Sequence, residues 1–311
     1  MKNLKIIFVV LFVAIVAVLL FISMEKKQPK QSKPIVGVTT FALYDITKHI
    51  AGDTVNLVNI LPFGVDPHSF EPTPKLMVKI AKSRLVFYSG AGLEPWIANF
   101  QFKGKAVNIS KYVDLRELKS NGDGEQAVTK QNMHTSSLDP HYWLDFSNMQ
   151  KATAVITKDL IALMPENKKL YLKNEDKYIK MLQDLNTLYK KMLTSCKNDT
   201  VVISHNALGY LANKYHFKVQ SLTGLSPEAE PSAQDVNRIF KDIKSEGLDT
   251  IFFENFVNDK LIKSIAHDAK IKFELFEPLG TITADEAKAG LTYEDIMKIN
   301  LKKLAKALKC H

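Results

Sequence analysis

The feature that most constrains the fold is the stretch from Lys168 to Leu193, 26 residues with apolar side chains at helical spacing and no interior glycine or proline. A helix of that length runs about 39 Å, long enough to join two lobes as a stiff strut. On both sides of it, short apolar runs alternate with longer helical stretches, the pattern of βαβ units carrying a parallel sheet. Before it, residues 35–39, 55–61, 85–89 and 106–109 read as strands and 42–50, 74–81 and 147–163 as helices, with Thr73 and Pro74 supplying an N-cap and a first-turn proline. After it, strands are expected at 201–204, 218–221, 250–253 and 272–276, and helices over 207–214, 233–246, 259–268 and 293–308. No internal repeat aligns the two halves residue by residue.

The expected fold class is therefore α/β, with two lobes built on parallel sheets and joined by one long rigid helix. Its divisions are 1–33 (signal peptide or N-terminal anchor plus spacer), 34–165 (N-terminal lobe), 166–196 (linking helix) and 197–311 (C-terminal lobe). A polar, turn-rich loop is expected over 119–138, around Asn121-Gly122-Asp123-Gly124.

The formal charge of +9 invites a nucleic-acid reading, but residues 1–33 carry six lysines against one glutamate, leaving only +4 for the rest of the chain. The remaining lysines share their helical stretches with acidic residues, which describes a solvated surface rather than a phosphate-binding stripe. Met1 to Lys5 is a short basic region, followed by the uncharged apolar run from Ile6 to Ile22. This reads as an export signal. A cleaved signal and a retained anchor both stay open, and no cysteine at the end of the run points to a lipoprotein. An exported chain permits a disulfide between its two cysteines, Cys196 and Cys310, and two unpaired thiols are the other reading.

The chain holds no P-loop, His-Glu-x-x-His, Gly-x-Ser-x-Gly or paired Cys-x-x-Cys motif. What stands out is the placement of three histidines in or beside loops between elements. His68 lies just beyond a predicted strand, in Asp66-Pro67-His68, and His141 ends the polar loop, in Asp139-Pro140-His141. His205 follows the apolar run Val201 to Ser204, and Glu277 stands in the corresponding position after the last predicted strand. Taken singly, each has an ordinary explanation: a solvated loop histidine, a turn leading into a helix with Trp143 packed beneath it, or a turn carboxylate. Together they give two side chains from each lobe, all at strand-end or loop positions, and strand ends are where open α/β sheets bind ligands. Three imidazoles and a carboxylate form a four-ligand set suited to Zn²⁺.

Those residues sit in four motifs, Gly64-Val-Asp-Pro-His-Ser-Phe-Glu-Pro72, Asp139-Pro-His-Tyr-Trp-Leu-Asp145, Ile203-Ser-His-Asn-Ala-Leu-Gly-Tyr210 and Glu277-Pro-Leu-Gly280. In that order, and from about Pro34 onward, the chain resembles the zinc and manganese substrate-binding proteins of bacterial ABC importers. The resemblance implies two lobes with a metal between them, held by His68, His141, His205 and Glu277. It also implies a periplasmic or otherwise extracytoplasmic monomer that hands its metal to a membrane permease served by a separate ATPase. A histidine at the third ligand position, His205, favours zinc over manganese. The chain departs from the family's pattern at Glu277, where aspartate is common, and at Phe146, where proline is common. Its polar loop contains only His134 and so lacks a histidine-rich tract.

Other readings are a manganese-binding importer component, a zinc hydrolase with Glu71 or Asp139 as base, and a metal-binding surface adhesin. A fourth protein ligand would displace a catalytic water, so no enzymatic activity is expected. His49, His216, His267 and His311 are read as surface or structural residues, and Trp96 as cover for the core near the cleft. Because the ligands bind metal only when unprotonated, affinity is expected to fall as pH drops through the imidazole range, near 6.5.

Overall fold

The computed structural model describes residues 32–117, 138–225, 227, 229–255 and 260–311. The expected export segment and polar loop lie almost wholly outside these residues. Pro34–His311 forms a single contact unit. Its first sheet contains β1 (Ile35–Val38), β2 (Asn56–Asn59), β3 (Leu85–Tyr88) and β4 (Lys105–Asn108) in the order β2-β1-β3-β4. The second contains β7 (Thr200–His205), β8 (Lys218–Thr223), β9 (Thr250–Phe253) and β10 (Lys272–Leu275) in the order β10-β9-β7-β8. All six pairings are parallel. Counted from its own first strand, each sheet runs 2-1-3-4, so the lobes share a topology that no sequence repeat discloses.

Short helices make the crossovers: α1 (Phe41–Ala51) and α2 (Pro74–Ile80) in the first lobe, and α5 (Gly209–Tyr215), α6 (Ala233–Glu246) and α7 (Lys260–Ala269) in the second. Thr73 caps α2 as expected, its side chain accepting from the Leu76 N–H. Between the sheets come the two-residue antiparallel strands β5 (Arg116–Glu117) and β6 (Leu138–Asp139), then α3 (Phe146–Leu163) and the long α4 (Lys168–Met192). The chain closes with α8 (Ala284–Ala289) and α9 (Tyr293–Ala307). The expected elements differ from these mainly at their ends. The expectation missed α8, whose six residues are too few to show a helical period and whose start is fixed by a Thr283–Glu286 capping box.

Strand alternation divides the core. Val36, Val38, Leu85, Phe87, Val201 and Ile203 point into one large cluster shared with α1, α3, α4 and α9. The intervening residues face satellite clusters: Val86 with Ile60 and Ile80 under α2, and Val202 with Ile239 and Ile265 under α6 and α7. The long helix is therefore a packed element of the common core, not a free-standing strut. It buries Tyr171, Tyr178, Leu182, Leu185 and Tyr189 along one stripe. Its tyrosine hydroxyls reach both ends of the molecule: Tyr171 meets Thr54, Tyr178 donates to Asp45 Oδ2 at 2.7 Å, and Tyr189 donates to the Met297 carbonyl at 2.7 Å.

Asp45 is a junction, since its other oxygen accepts the Tyr293 N–H at 3.2 Å, tying α1, α4 and α9 together. His49, one turn along α1, bonds to Asp45, and that contact outweighs partial burial and pushes the imidazole up to about 9.

Cys196 and Cys310 are joined in a disulfide, pinning the end of α9 to the segment that follows α4. The bond closes a loop with a sequence separation of 114, for which the chain-entropy relation gives about 4–5 kcal/mol as an upper figure. Reduction, or Cys310→Ser, is expected to lower stability by about 2–5 kcal/mol in urea unfolding of the folded part. An unchanged midpoint, with thiol titration showing complete reduction, would refute that role.

Candidate metal centre

Two of the three loop histidines are set by one local device. In both Asp66-Pro67-His68 and Asp139-Pro140-His141 the aspartate Oδ1 accepts the histidine's backbone N–H, at 2.7 and 3.0 Å. This is an Asx turn stiffened by the intervening proline. The His68 loop is held further by Phe70, which packs edge-on against Trp96. His205 is set differently, as the last residue of β7, in register with Thr223 of β8. The expected strand stopped one residue short of it, because a histidine breaks the apolar run.

These three imidazoles meet. His68 Nε2 and His205 Nε2 each lie 3.3 Å from His141 Nε2, and the three residues form the metal-competent group among the described residues. His141 and His205 are buried, at 2% and 3% exposed, whereas His68 is half-buried. Two outer carboxylates fix which nitrogens face inward. His141 Nδ1 donates to Asp139 Oδ1 at 2.9 Å, and His205 Nδ1 lies 2.6 Å from Glu254 Oε1, oblique to the ring N–H direction. Because a carboxylate only accepts, His141 Nδ1 carries a proton, and in the neutral ring its Nε2 is left as an acceptor facing the other two imidazoles. The 3.3 Å separations match the edge of a tetrahedron with Zn–N bonds of about 2.0–2.1 Å, which is about 3.3–3.4 Å.

The cluster's charges are arranged unequally. Asp139 is itself held by Arg116, 3.2 Å from its other oxygen. Arg116 can approach only because residue 209 is glycine, since a Cβ there would lie 2.1 Å from the guanidinium. Glu254 is held by the Ser204 hydroxyl at 2.7 Å. Burial, with His141 and His205 beside it, lowers the His68 pKa well below the usual imidazole range. For His205 burial also works against the charged form, but Glu254, Asp66 and Asp139 outweigh it and raise the pKa.

Glu277 lines the same pocket, about 410 Å³ of space partly continuous with solvent, together with Asp66, Trp143, Glu254 and Asn255. Its backbone is clamped by Asn300 of α9, which accepts the Glu277 N–H at 3.3 Å and donates to its carbonyl at 2.7 Å. The loop beyond is pinned by Trp143 Nε1 to the Pro278 carbonyl at 2.7 Å, and by the Phe41 and Gly64 N–H groups to the carbonyls of Gly280 and Ile282. Leu279 is held at φ 65, a left-handed conformation unusual for a branched side chain, and a Cβ at Gly280 would press 3.1 Å from Pro67. Asn255 donates its side-chain N–H to Glu277 Oε1.

All four residues singled out from the sequence thus line one pocket, with the three histidines in mutual contact and Glu277 in the wall. Asp66, Glu254, Asn255, Arg116 and Asn300 were missed. The repeated Asp-Pro-His could have disclosed Asp66, and the position of Glu254 just past an apolar strand could have disclosed it too. Asp139 and Glu71 are unsuited to serve as a base, the first being buried between His141 and Arg116 and the second exposed outside the pocket. Trp143 lies edge-on to His141 with ring centroids 5.4 Å apart. His267 and His311 are exposed, and His216 ends α5 in a left-handed turn. His134 lies outside the described residues.

A sequence model of the family described as ZnuA, zinc-uptake complex component A, periplasmic, matches residues 36–307. The chain belongs to this family. The high-affinity zinc uptake system protein ZnuA of Bacillus subtilis is 33% identical over 284 residues, covering 90% of this chain and 89% of the relative. The zinc-binding lipoprotein AdcA of Streptococcus pneumoniae is 29% identical over 304 residues, and there the match spans only 60% of the relative's length. The crystal structure of the Zn(II)-bound ZnuA-like domain of that AdcA superposes with a TM-score of 0.73 at 29% identity, over 89% of this chain and 99% of the domain. Two parallel-sheet lobes and a long helix are thus the ZnuA-type fold.

In this ZnuA-family chain, burial of the Glu277 carboxyl, with Glu286 and Glu254 adding repulsion, pushes it up from 4.5 to about 8. The folded metal-free protein then holds a proton that the unfolded chain has lost, so its stability falls as pH rises from about 4.5 through about 8. Metal-free Glu277→Gln is expected to melt at least about 2 °C above wild type at pH 8, with the gap closing towards pH 5. A gap that does not change with pH would contradict this placement of the carboxyl.

Proposed function

We propose that this protein is an extracytoplasmic zinc-capture component of an ABC importer, binding one Zn²⁺ through His68, His141, His205 and Glu277. The observation that carries the reading is that the Nε2 atoms of His68 and His205 each lie 3.3 Å from that of His141, the edge length of a tetrahedron of nitrogens around Zn²⁺. Three imidazoles favour borderline Zn²⁺ over harder Mn²⁺, which prefers oxygen. The names of the relatives, zinc uptake protein and zinc-binding lipoprotein, accord with it.

The chain's lobes are taken as 34–165 and 197–311, with 166–196 linking them. The apolar run near the N-terminus directs export. Function as a monomer follows from a site completed within one chain, and delivery requires a membrane permease with its own ATPase. Membership of a family described as a zinc-uptake complex component favours a non-enzymatic role.

Competitive titration of the metal-stripped folded part with Zn²⁺ and Mn²⁺ tests the reading. One-to-one binding with zinc preferred is expected, weakened at least about 100-fold by His205→Ala and by a smaller factor by Glu277→Ala. Preference for Mn²⁺, or zinc binding indifferent to both substitutions, would overturn it.

A further inference from the structure

The C-terminal half of the pocket is governed from one strand end. In the second sheet β9 lies between β7 and β10. Its register with β7 sets Ile203 opposite Phe252, and with β10 it sets Leu275 opposite Phe253. Two residues further along, those registers bring Glu254 beside His205 and Asn255 beside Glu277. The side chains bear this out: Glu254 Oε1 lies 2.6 Å from His205 Nδ1, and Asn255 donates to Glu277 Oε1. Glu254 is 3% exposed and its Oε1 also accepts the Ser204 hydroxyl, so its position is fixed independently of any cation.

We propose that the dipeptide Glu254-Asn255 is the positioning element for both C-terminal metal ligands, Glu254 acting through His205 and Asn255 through Glu277. Glu254 holds the imidazole from its Nδ1 side, 2.6 Å away, which leaves Nε2 to face the cation. Asn255 occupies Oε1 of Glu277, which leaves Oε2 as the oxygen directed at the metal and makes the carboxylate a one-oxygen ligand. Neither residue touches the cation. The inference rests on the assignment of His205 and Glu277 as zinc ligands.

The test is a set of double-mutant cycles on the metal-stripped folded protein, with zinc dissociation constants read by competition with a chromogenic chelator. Glu254→Ala and Asn255→Ala are each expected to weaken zinc by about 10–100-fold, as losses of outer partners do. Glu254→Ala should add less than about threefold in a His205→Ala background, yet keep its full effect in Glu277→Ala. Asn255→Ala should show the opposite pattern. With Co²⁺ as probe, the visible absorption bands should shift in each single variant although all four ligands are retained. Glu254→Gln, which keeps an acceptor oxygen, should recover at least half of the loss on a logarithmic scale.

Single-variant affinities within about twofold of wild type, or full additivity in every background, would overturn the proposal. If Glu254→Ala does not fold, as circular dichroism would reveal, Glu254→Gln and Asn255→Ser carry the same cycles. If His205→Ala and Glu277→Ala leave zinc binding unchanged, the metal-site reading itself fails. If they weaken it while the variants at 254 and 255 do not, only the positioning role fails.

Discussion

Everything about this pocket turns on three imidazoles that the fold presses together, with the Nε2 atoms of His68 and His205 each 3.3 Å from that of His141. Left to themselves, neighbouring imidazoles would pair, one ring donating N–H to the other. Asp139 prevents His141 from being the donor by claiming the proton on its far nitrogen. The fold thereby leaves His141 Nε2 as an acceptor facing two further ring nitrogens, an arrangement that a cation can bridge. Burial sharpens the effect, because in a low-dielectric setting unpaired polar atoms gain little from water.

Such an arrangement needs a stiff frame. The loop from Glu277 to Ile282 is bonded to α9, to Trp143 and to the first lobe's Phe41 and Gly64. The helix α9 is bonded to α4 and, through Asp45, to α1. One hydrophobic cluster runs from the first sheet to the second through the helices. With the core shared in this way, the lobes cannot part widely without breaking it, so accommodation of an ion falls to local loops and side chains. The half-buried His68, on a loop beyond β2, is the ligand candidate with most freedom to respond.

The architecture was legible because its signals are local and repeated: apolar runs for buried parallel strands, and an unbroken period for α4. The histidines were legible because aromatic bases at strand ends are conspicuous among Pro and Gly. What escaped was whatever depends on register. Glu254 and Asn255 belong to the site only because β9 lies between β7 and β10, an order that composition and period do not encode. Asn300 escaped because it sits 23 residues from Glu277 on a helix that reads as ordinary amphipathic surface. The packing of α4 into the core escaped because a stripe of apolar residues does not name what covers it.

The two sheets have the same strand order, yet their crevices are used in opposite ways. At the end of β1 and β3, where the first sheet's order reverses, the buried Glu94 accepts bonds from the Thr39 hydroxyl and from the Ser89 and Gly90 N–H groups. That crevice is stoppered by the chain's own carboxylate, complete whether or not an ion is present. The matching crevice of the second sheet, between β7 and β9, holds His205 and Glu254. The molecule is in this sense a pair of similar cups, one closed by a carboxylate that the chain's own donors satisfy and one lined by imidazole and carboxylate groups able to answer an incoming cation.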